Sequence, residues 1–560
     1  MWFPPGLVLI IAGILIAVVP GGALRRALVI AAPAATLALV WLVPEGNALQ
    51  LNWLGDVIVP LKGDALSRLF GTVFAVMALA GGIYALGARA RKTELSAAFI
   101  YAGGAIGACF AGDLVSLFVF WEVMALASTM VIWSTSNALS AAAGRRYLVV
   151  HLLGGVLLMI GIAGHWLDTG SIAFGAMALD SPAHWLILAG FLINAGAPPF
   201  SAWLPDAYPE TSPSGMVFLS AFTTKTAVYA ILRGFAGEEV LIYFGLFMVF
   251  YGIIYALLEN DMRRILAYSI INQVGFMIVG AGIGTALAVN GAAAHAFTHI
   301  IYKALLLMSA GAVLHMTGQR KCTDLGGLYR TMPLTMTCGI ISALAISAFP
   351  FTSGFVSKSM IAQAASDGHM TIIWYLLAAA SAGVFLHAGI KFPWFVFFQK
   401  DSGLRPQEPP WLMRGAMVAL AALCILIGVI PGVLYGWLPY PVDYVPYTGG
   451  HVGTQFQLLL FAGLAFFLML PQMKRTLTIT LDVDWFYRRA GAALVRTVFR
   501  MADRGATFSR VVTTSIVRQS LHLMGDPIRP NGLIFASWST GLTALWILMI
   551  LAACLILYYL

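Results

Sequence analysis

Apolar runs of about 20 residues, each long enough to cross a bilayer as a helix, recur along this chain from one end to the other. No other feature limits its possible folds so severely. In hydrocarbon every backbone N–H and C=O must be satisfied inside the protein, so runs of this length form helices. Composition agrees: 60% of the 560 residues are hydrophobic, 10% are charged, and the mean hydropathy is +0.88. Soluble domains carry about 25% charged residues, so this chain has too little polar surface to stay dissolved. The sequence therefore reads as an all-α polytopic membrane protein with about 16 transmembrane helices. They fall near residues 5–22, 27–43, 67–88, 95–111, 114–135, 146–166, 184–205, 216–236, 239–259, 264–285, 289–316, 333–365, 371–398, 412–436, 455–472 and 533–558.

Lysine and arginine test that count. Of the 32, 25 follow odd-numbered spans, three follow even-numbered ones (Lys62, Arg68, Arg233) and four lie within spans. A miscounted helix would scramble the asymmetry. Basic residues collect on the cytoplasmic side, which puts both termini on the extracytoplasmic side of a bacterial inner membrane. The net charge of +9 then reflects orientation and attraction to anionic lipid, and it needs no nucleic acid.

Several chemistries are excluded. Cys109, Cys322, Cys338, Cys424 and Cys554 stand alone, with neither CxxC spacing nor a Cys/His cluster, so no iron–sulfur or zinc site is signalled. There is no P-loop. Gly280-Ala-Gly-Ile-Gly-Thr lies inside an apolar span and reads as helix packing through small residues. No cofactor, metal site or catalytic group is expected. Gly6 to Val19 has no basic region before it and reads as a retained helix.

What remains is a small set of ionisable side chains at membrane depth, where each costs at least about 2.5–3.5 kcal/mol and so marks function. Glu122 lies in span five and Lys225 in span eight. His295, His299 and Lys303 repeat every four residues in span eleven and share one helix face. Lys358 belongs to span twelve, and His387 and Lys391 form an i, i+4 pair in span thirteen. Low dielectric disfavours the charged form of an amine, and histidine titrates near neutrality. A row of such groups fed by internal water can carry protons.

Two spans are interrupted, at Asn194-Ala-Gly-Ala-Pro-Pro-Phe and at Phe349-Pro-Phe-Thr-Ser-Gly-Phe. Proline removes a backbone donor, and freed backbone at this depth is tolerated only inside protein or beside a watery cavity. Interruptions five spans apart point to two five-helix repeats of inverted orientation, a recurring transporter design. The expected organisation is N-terminal helices and an extracytoplasmic loop (1–94), repeats at 95–236 and 239–400, and C-terminal helices (401–481). A cytoplasmic-side amphipathic lateral helix (482–532) and a final anchor (533–560) follow. The lateral helix is inferred from Trp485, Leu494, Val498, Phe499, Val511 and Ile516 interleaved with arginines. Turns are expected at Gly525-Asp-Pro and Arg529-Pro-Asn-Gly.

Phe118-Val-Phe-Trp-Glu, Trp203-Leu-Pro-Asp-Ala, Lys225-Thr-Ala-Val-Tyr, Asp261-Met-Arg-Arg, His295-Ala-Phe-Thr-His-Ile-Ile-Tyr-Lys and Ser353-Gly-Phe-Val-Ser-Lys occur in that order. Together they resemble the antiporter-like subunits shared by respiratory complex I and Mrp-type cation/proton antiporters, above all the Mrp D-type subunits, over about residues 60–400. The resemblance implies that Glu122 is the key carboxylate and Lys225 the bridging lysine. It makes Lys303 the central lysine, reached through His295 and His299, and Lys358 the exit-side lysine. Asp484-Trp-Phe-Tyr and the layout after it resemble the lateral helix of complex I's distal pumping subunit. In one respect the chain departs from the family. Where the family carries a lysine five residues before the proline of the first broken helix, this sequence has Asn194. An amide cannot take up a proton at ordinary pH, so either Lys225 or His151 serves Glu122 instead or the first half-channel no longer works in the usual way, and Lys225 is the expected substitute.

The resemblance implies a proton-translocating membrane subunit of a multisubunit Na⁺/H⁺ antiporter, partnered by other membrane subunits and the lipid bilayer, moving H⁺ with Na⁺ as the candidate second ion, and with no enzymatic activity of its own. The alternatives are a pumping subunit of a complex I-like redox enzyme, and a proton-conducting subunit that energises a partner such as an inorganic-carbon uptake protein.

Overall fold

In the computed structural model the described residues are 2–53, 56–471, 482, 485–525 and 540–559. Helices α1 (Pro5–Val18) and α2 (Ala23–Leu42) lead into strands β1 (Gly46–Trp53) and β2 (Asp56–Gly63), and α3 (Ala65–Gly87) follows. The first repeat-like segment holds α4 (Lys92–Phe110), α5 (Leu114–Trp133), α6 (Ala138–Thr169), α7 (Pro182–Ala195), α8 (Trp203–Ala207), α9 (Pro213–Ala221) and α10 (Thr223–Gly234). The second holds α11 (Val240–Leu258), α12 (Met262–Ile283), α13 (Ala286–Thr317), α14 (Pro333–Ile346), α15 (Ser353–Asp367) and α16 (Thr371–Val384). After α16 the chain runs through π-helical turns at Phe385–Lys391 and Trp394–Phe398. Next come α17 (Trp411–Val429), α18 (Gly432–Tyr435), α19 (Gly449–Leu468), α20 (Ala492–Gly525) and α21 (Thr540–Tyr559).

Among the described residues 13 helical stretches are long and apolar enough to cross a membrane, and α1, α7 and α14 are shorter apolar helices. Together they account for the sixteen expected spans. Polar caps start many of them at the spans' edges. Asp64 and Ser67 form a reciprocal capping box on α3, as do Asn137 and Ser140 on α6. The glycine run near 280 lies on α12, with Gly282 against Ile242 of α11 and Gly280 against Ala292 of α13. The cysteines are free thiols.

One element differs from the sequence reading. The loop expected after span two is an antiparallel hairpin pairing Leu51 with Ile58 and Asn52 with Val57.

Ion pairs gather at both ends of the helices. At one end Arg146 pairs with Asp206 at 2.7 Å, Arg264 with Glu259 at 3.1 Å, and Arg320 with Glu210 at 2.9 Å and with Asp261. Arg263 donates to the carbonyls of Pro209 (2.9 Å), Thr211 (2.6 Å) and Ser212 (2.8 Å), tying the start of α12 to the α8–α9 connection. At the hairpin end Arg233 pairs with Asp64 at 2.5 Å and Arg68 with Glu45 at 3.2 Å.

Residues Met1–Asp484 form one compact unit and Trp485–Leu560 a second. In the second, the 34 residues of α20 span about 51 Å at 1.5 Å per residue. Lys474, Arg475, Asp484 and most of the turn expected between α20 and α21 lie outside the described residues.

Candidate functional site

The centre of α13 carries the longest row of buried ionisable groups. His295, His299 and Lys303 are all fully buried, and successive members are about 6 Å apart along the axis. The protonation of His295 can be worked out from its neighbours. Asn272 Nδ2 donates to the Val249 carbonyl at 2.9 Å, which leaves Asn272 Oδ1 to accept from Gln273 Nε2. Gln273 Oε1 then faces His295 Nε2 at 3.2 Å and Tyr302 OH at 3.1 Å, so both must donate. In the neutral ring, Nδ1 is left to accept from Ser357 Oγ at 3.1 Å, and Ser357 is joined in turn to Thr298 Oγ1 at 2.8 Å. His295 is thus held in one tautomer by α12 and linked to α15.

The next two members are held differently. Both ring nitrogens of His299 and the Lys303 amine are buried without a protein partner. Buried polar atoms of this kind are satisfied by water, so this stretch suits a mobile proton relay. His387 joins it from the π-helical turn, with Nδ1 on the Gly383 carbonyl at 2.8 Å and Nε2 unpartnered. Lys391 is different. Its amine donates to the carbonyls of Ala256 (3.0 Å), Leu257 (2.5 Å) and Glu259 (2.6 Å) at the end of α11, so it caps a helix.

Lys358 bridges the second interruption. From the first turns of α15 its Nζ donates at 3.1 Å to the carbonyl of Ile346, the last residue of α14. It also lies 4.6 Å from the centre of the Phe276 ring. The chain between the half-helices holds Ala348 and Phe351 at φ 56° and 66°, a left-handed conformation that costs energy and clusters at functional sites.

In the first segment Glu122 is half-buried on α5, with Oε1 unpartnered. A Cβ on Gly155 of α6 would fall 2.0 Å from that oxygen, so any larger residue there would push the carboxylate aside. The neighbouring Gly154 faces Asn194 Oδ1, also buried and unpartnered. One turn earlier on α6, His151 stacks on Tyr147 at 3.9 Å between ring centres, with Nδ1 on the Tyr147 carbonyl and Nε2 unpartnered. Tyr147 OH donates to Ser128 at 3.0 Å and reaches Thr223 at 3.5 Å, and Thr223 pairs with Tyr101 at 2.5 Å.

Lys225 follows the kink between α9 and α10, where Nζ donates to the Ser220 carbonyl at 2.8 Å and to Thr224 at 3.1 Å. The expected Glu122–Lys225 pair is not formed: neither residue belongs to the ion pairs found among the described residues. The reason is where the kink directs the amine. Lys225 is within electrostatic reach of His299 and Lys303. The bridging lysine leans towards the second segment, and His151 is the titratable group next to the Glu122 contact on α6. Sequence reasoning missed Gln273, Ser357, Tyr147 and Thr223, which are polar but uncharged.

Comparison with known proteins agrees with this architecture. Residues 111–385 match the family described as NADH:quinone oxidoreductase/Mrp antiporter, transmembrane. That stretch, just under half of the chain, is similar to this family's transmembrane segment. It is 29% identical over 415 residues to the D-type subunit of the Na⁺/H⁺ antiporter of Alkalihalophilus pseudofirmus, covering 68% of this chain and 83% of that protein. It is 28% identical over 437 residues to a probable K⁺/H⁺ antiporter subunit of the A/B type from Rhizobium meliloti, covering 72% of this chain but only 43% of that longer protein. In fold it is similar to a chain of the archaeal membrane-bound sulfane sulfur reductase, with a TM-score of 0.72, 23% identity and 99% of both chains covered.

Proposed function

We propose that this chain is the proton-translocating membrane subunit of a multisubunit Na⁺/H⁺ antiporter, with any redox or other catalysis left to partner subunits. The observation that carries the reading is the unpartnered, fully buried sequence His299–Lys303, flanked by Lys225 on one side and by His295 and Lys358 on the other. Protons pass from Glu122 through His151 to Lys225, then along Lys303, His299 and His295 to Lys358, with His387 as a side branch. Asn194 positions the first break without carrying a proton. The arginine-rich end faces the cytoplasm of a bacterial inner membrane, which leaves both termini outside.

Partner subunits have a natural place. Glu122 shares the face of α5 that exposes Val119, Leu126 and Met130, and a carboxylate on such a stripe is costly against lipid. A neighbouring membrane subunit covering this face removes that cost.

The test is proton and Na⁺ flux in proteoliposomes holding the complex purified through this chain, with its subunit composition determined. Na⁺-dependent proton flux with small hydrophobic partners is the expected result. Iron–sulfur or quinone-reactive partners, with flux only during electron transfer, would replace this reading with the redox pump.

A further inference from the structure

We infer that His451 and Gln455, at the start of α19, form the outlet that carries protons between Lys358 and the hairpin-end surface. This rests on the transport reading. Neither residue lies within the stretch that matches the family, 111–385.

The second break frees two consecutive carbonyls. Ile346 O accepts from Lys358 Nζ at 3.1 Å, and Ser347 O accepts from Gln455 Nε2 at 3.1 Å. Adjacent acceptors bring the amine and the amide together. Beside them lies a cavity of about 110 Å³ whose lining includes Lys358, Ser359, Ser381, His451 and Gln455. With about 30 Å³ per water in the liquid, it has room for a short water chain. Lys358 and His451 are the two titratable side chains in its wall.

His451 is built to pass a proton. It precedes Gln455 by four residues, so both look the same way from α19. Its Nδ1 faces the Pro446 carbonyl at 2.8 Å, and a carbonyl only accepts, so Nδ1 carries hydrogen and Nε2 takes up and releases the proton. The ring is stacked on Phe355 at 4.5 Å, one turn before Lys358. Nearby phenols are already committed: Tyr435 OH donates to the Val356 carbonyl at 2.7 Å and Tyr447 OH to that of Gly428. Gly449, Gly450 and Gly453 around His451 are exposed, and the preceding loop joins the start of α13 through Tyr440 N and Asn290 Oδ1 at 3.1 Å. The cavity therefore lies between the buried row and the open hairpin end.

The test measures proton flux in proteoliposomes containing the whole complex. His451→Phe keeps an aromatic stack on Phe355 but cannot titrate, and flux should fall at least about tenfold. His451→Ala should fall similarly and recover in part with millimolar imidazole on the hairpin side, whereas Lys358→Ala should not respond to imidazole. Unchanged flux in His451→Phe, or a slow His451→Ala that imidazole fails to restore, overturns the outlet alone if the unsubstituted complex is active. An inactive unsubstituted complex overturns the transport reading, and the outlet with it.

Discussion

The two broken spans solve the same problem with different side chains. In the second, the carbonyl freed at the end of α14 is taken by the Lys358 amine at 3.1 Å. In the first, the Ile193 carbonyl near the end of α7 is taken by the Trp203 indole at 3.0 Å, and Asn194 stands beside it uncharged. An indole N–H holds a carbonyl permanently. An amine can leave it, give up a proton and return. In the proposed path the first break is therefore a fixed joint, and the second is the joint through which protons would move.

That contrast should be most visible where the buried row is cut. Lys303→Ala removes the central amine, and proton flux in reconstituted complex should fall by about 100-fold or more. Retention of most of the flux would move the path off α13. In the first segment the effects should divide unequally. His151→Ala should lower flux about tenfold, while Asn194→Ala should stay within about twofold of the unsubstituted rate. The reverse pattern would make the first break an active proton site and erase the contrast. The smallest effect on transport belongs to Lys391→Met. Losing the charged cap on α11 should cost about 1.5–3 kcal/mol of stability, read as a lower Tm in detergent. Flux per folded complex should be unchanged.

Much of this was legible in the residues. The spans follow from hydropathy and from the arginine asymmetry, because both report directly on where the chain meets water. The two interruptions follow from proline at membrane depth. The hairpin escaped because Leu49, Leu51 and Trp53 alternate over one short stretch between apolar spans that dominate any window. Gln273, Ser357, Tyr147 and Thr223 escaped because neutral polar side chains cost little in a helix bundle, so nothing in sequence separates a network member from a packing residue. Lys225 was recognisable as a charge at membrane depth but not in its direction. The kink after Ala221, which sets where the amine points, depends on packing between segments.

Lys225 also offers the most direct test that both segments share one proton path, measured as the rate of proton flux in proteoliposomes containing the intact complex with Lys225→Met. The expected result is an assembled complex whose flux collapses although Lys303 and Lys358 remain in place. Flux at the unsubstituted rate would contradict a connected path and leave two independent half-channels.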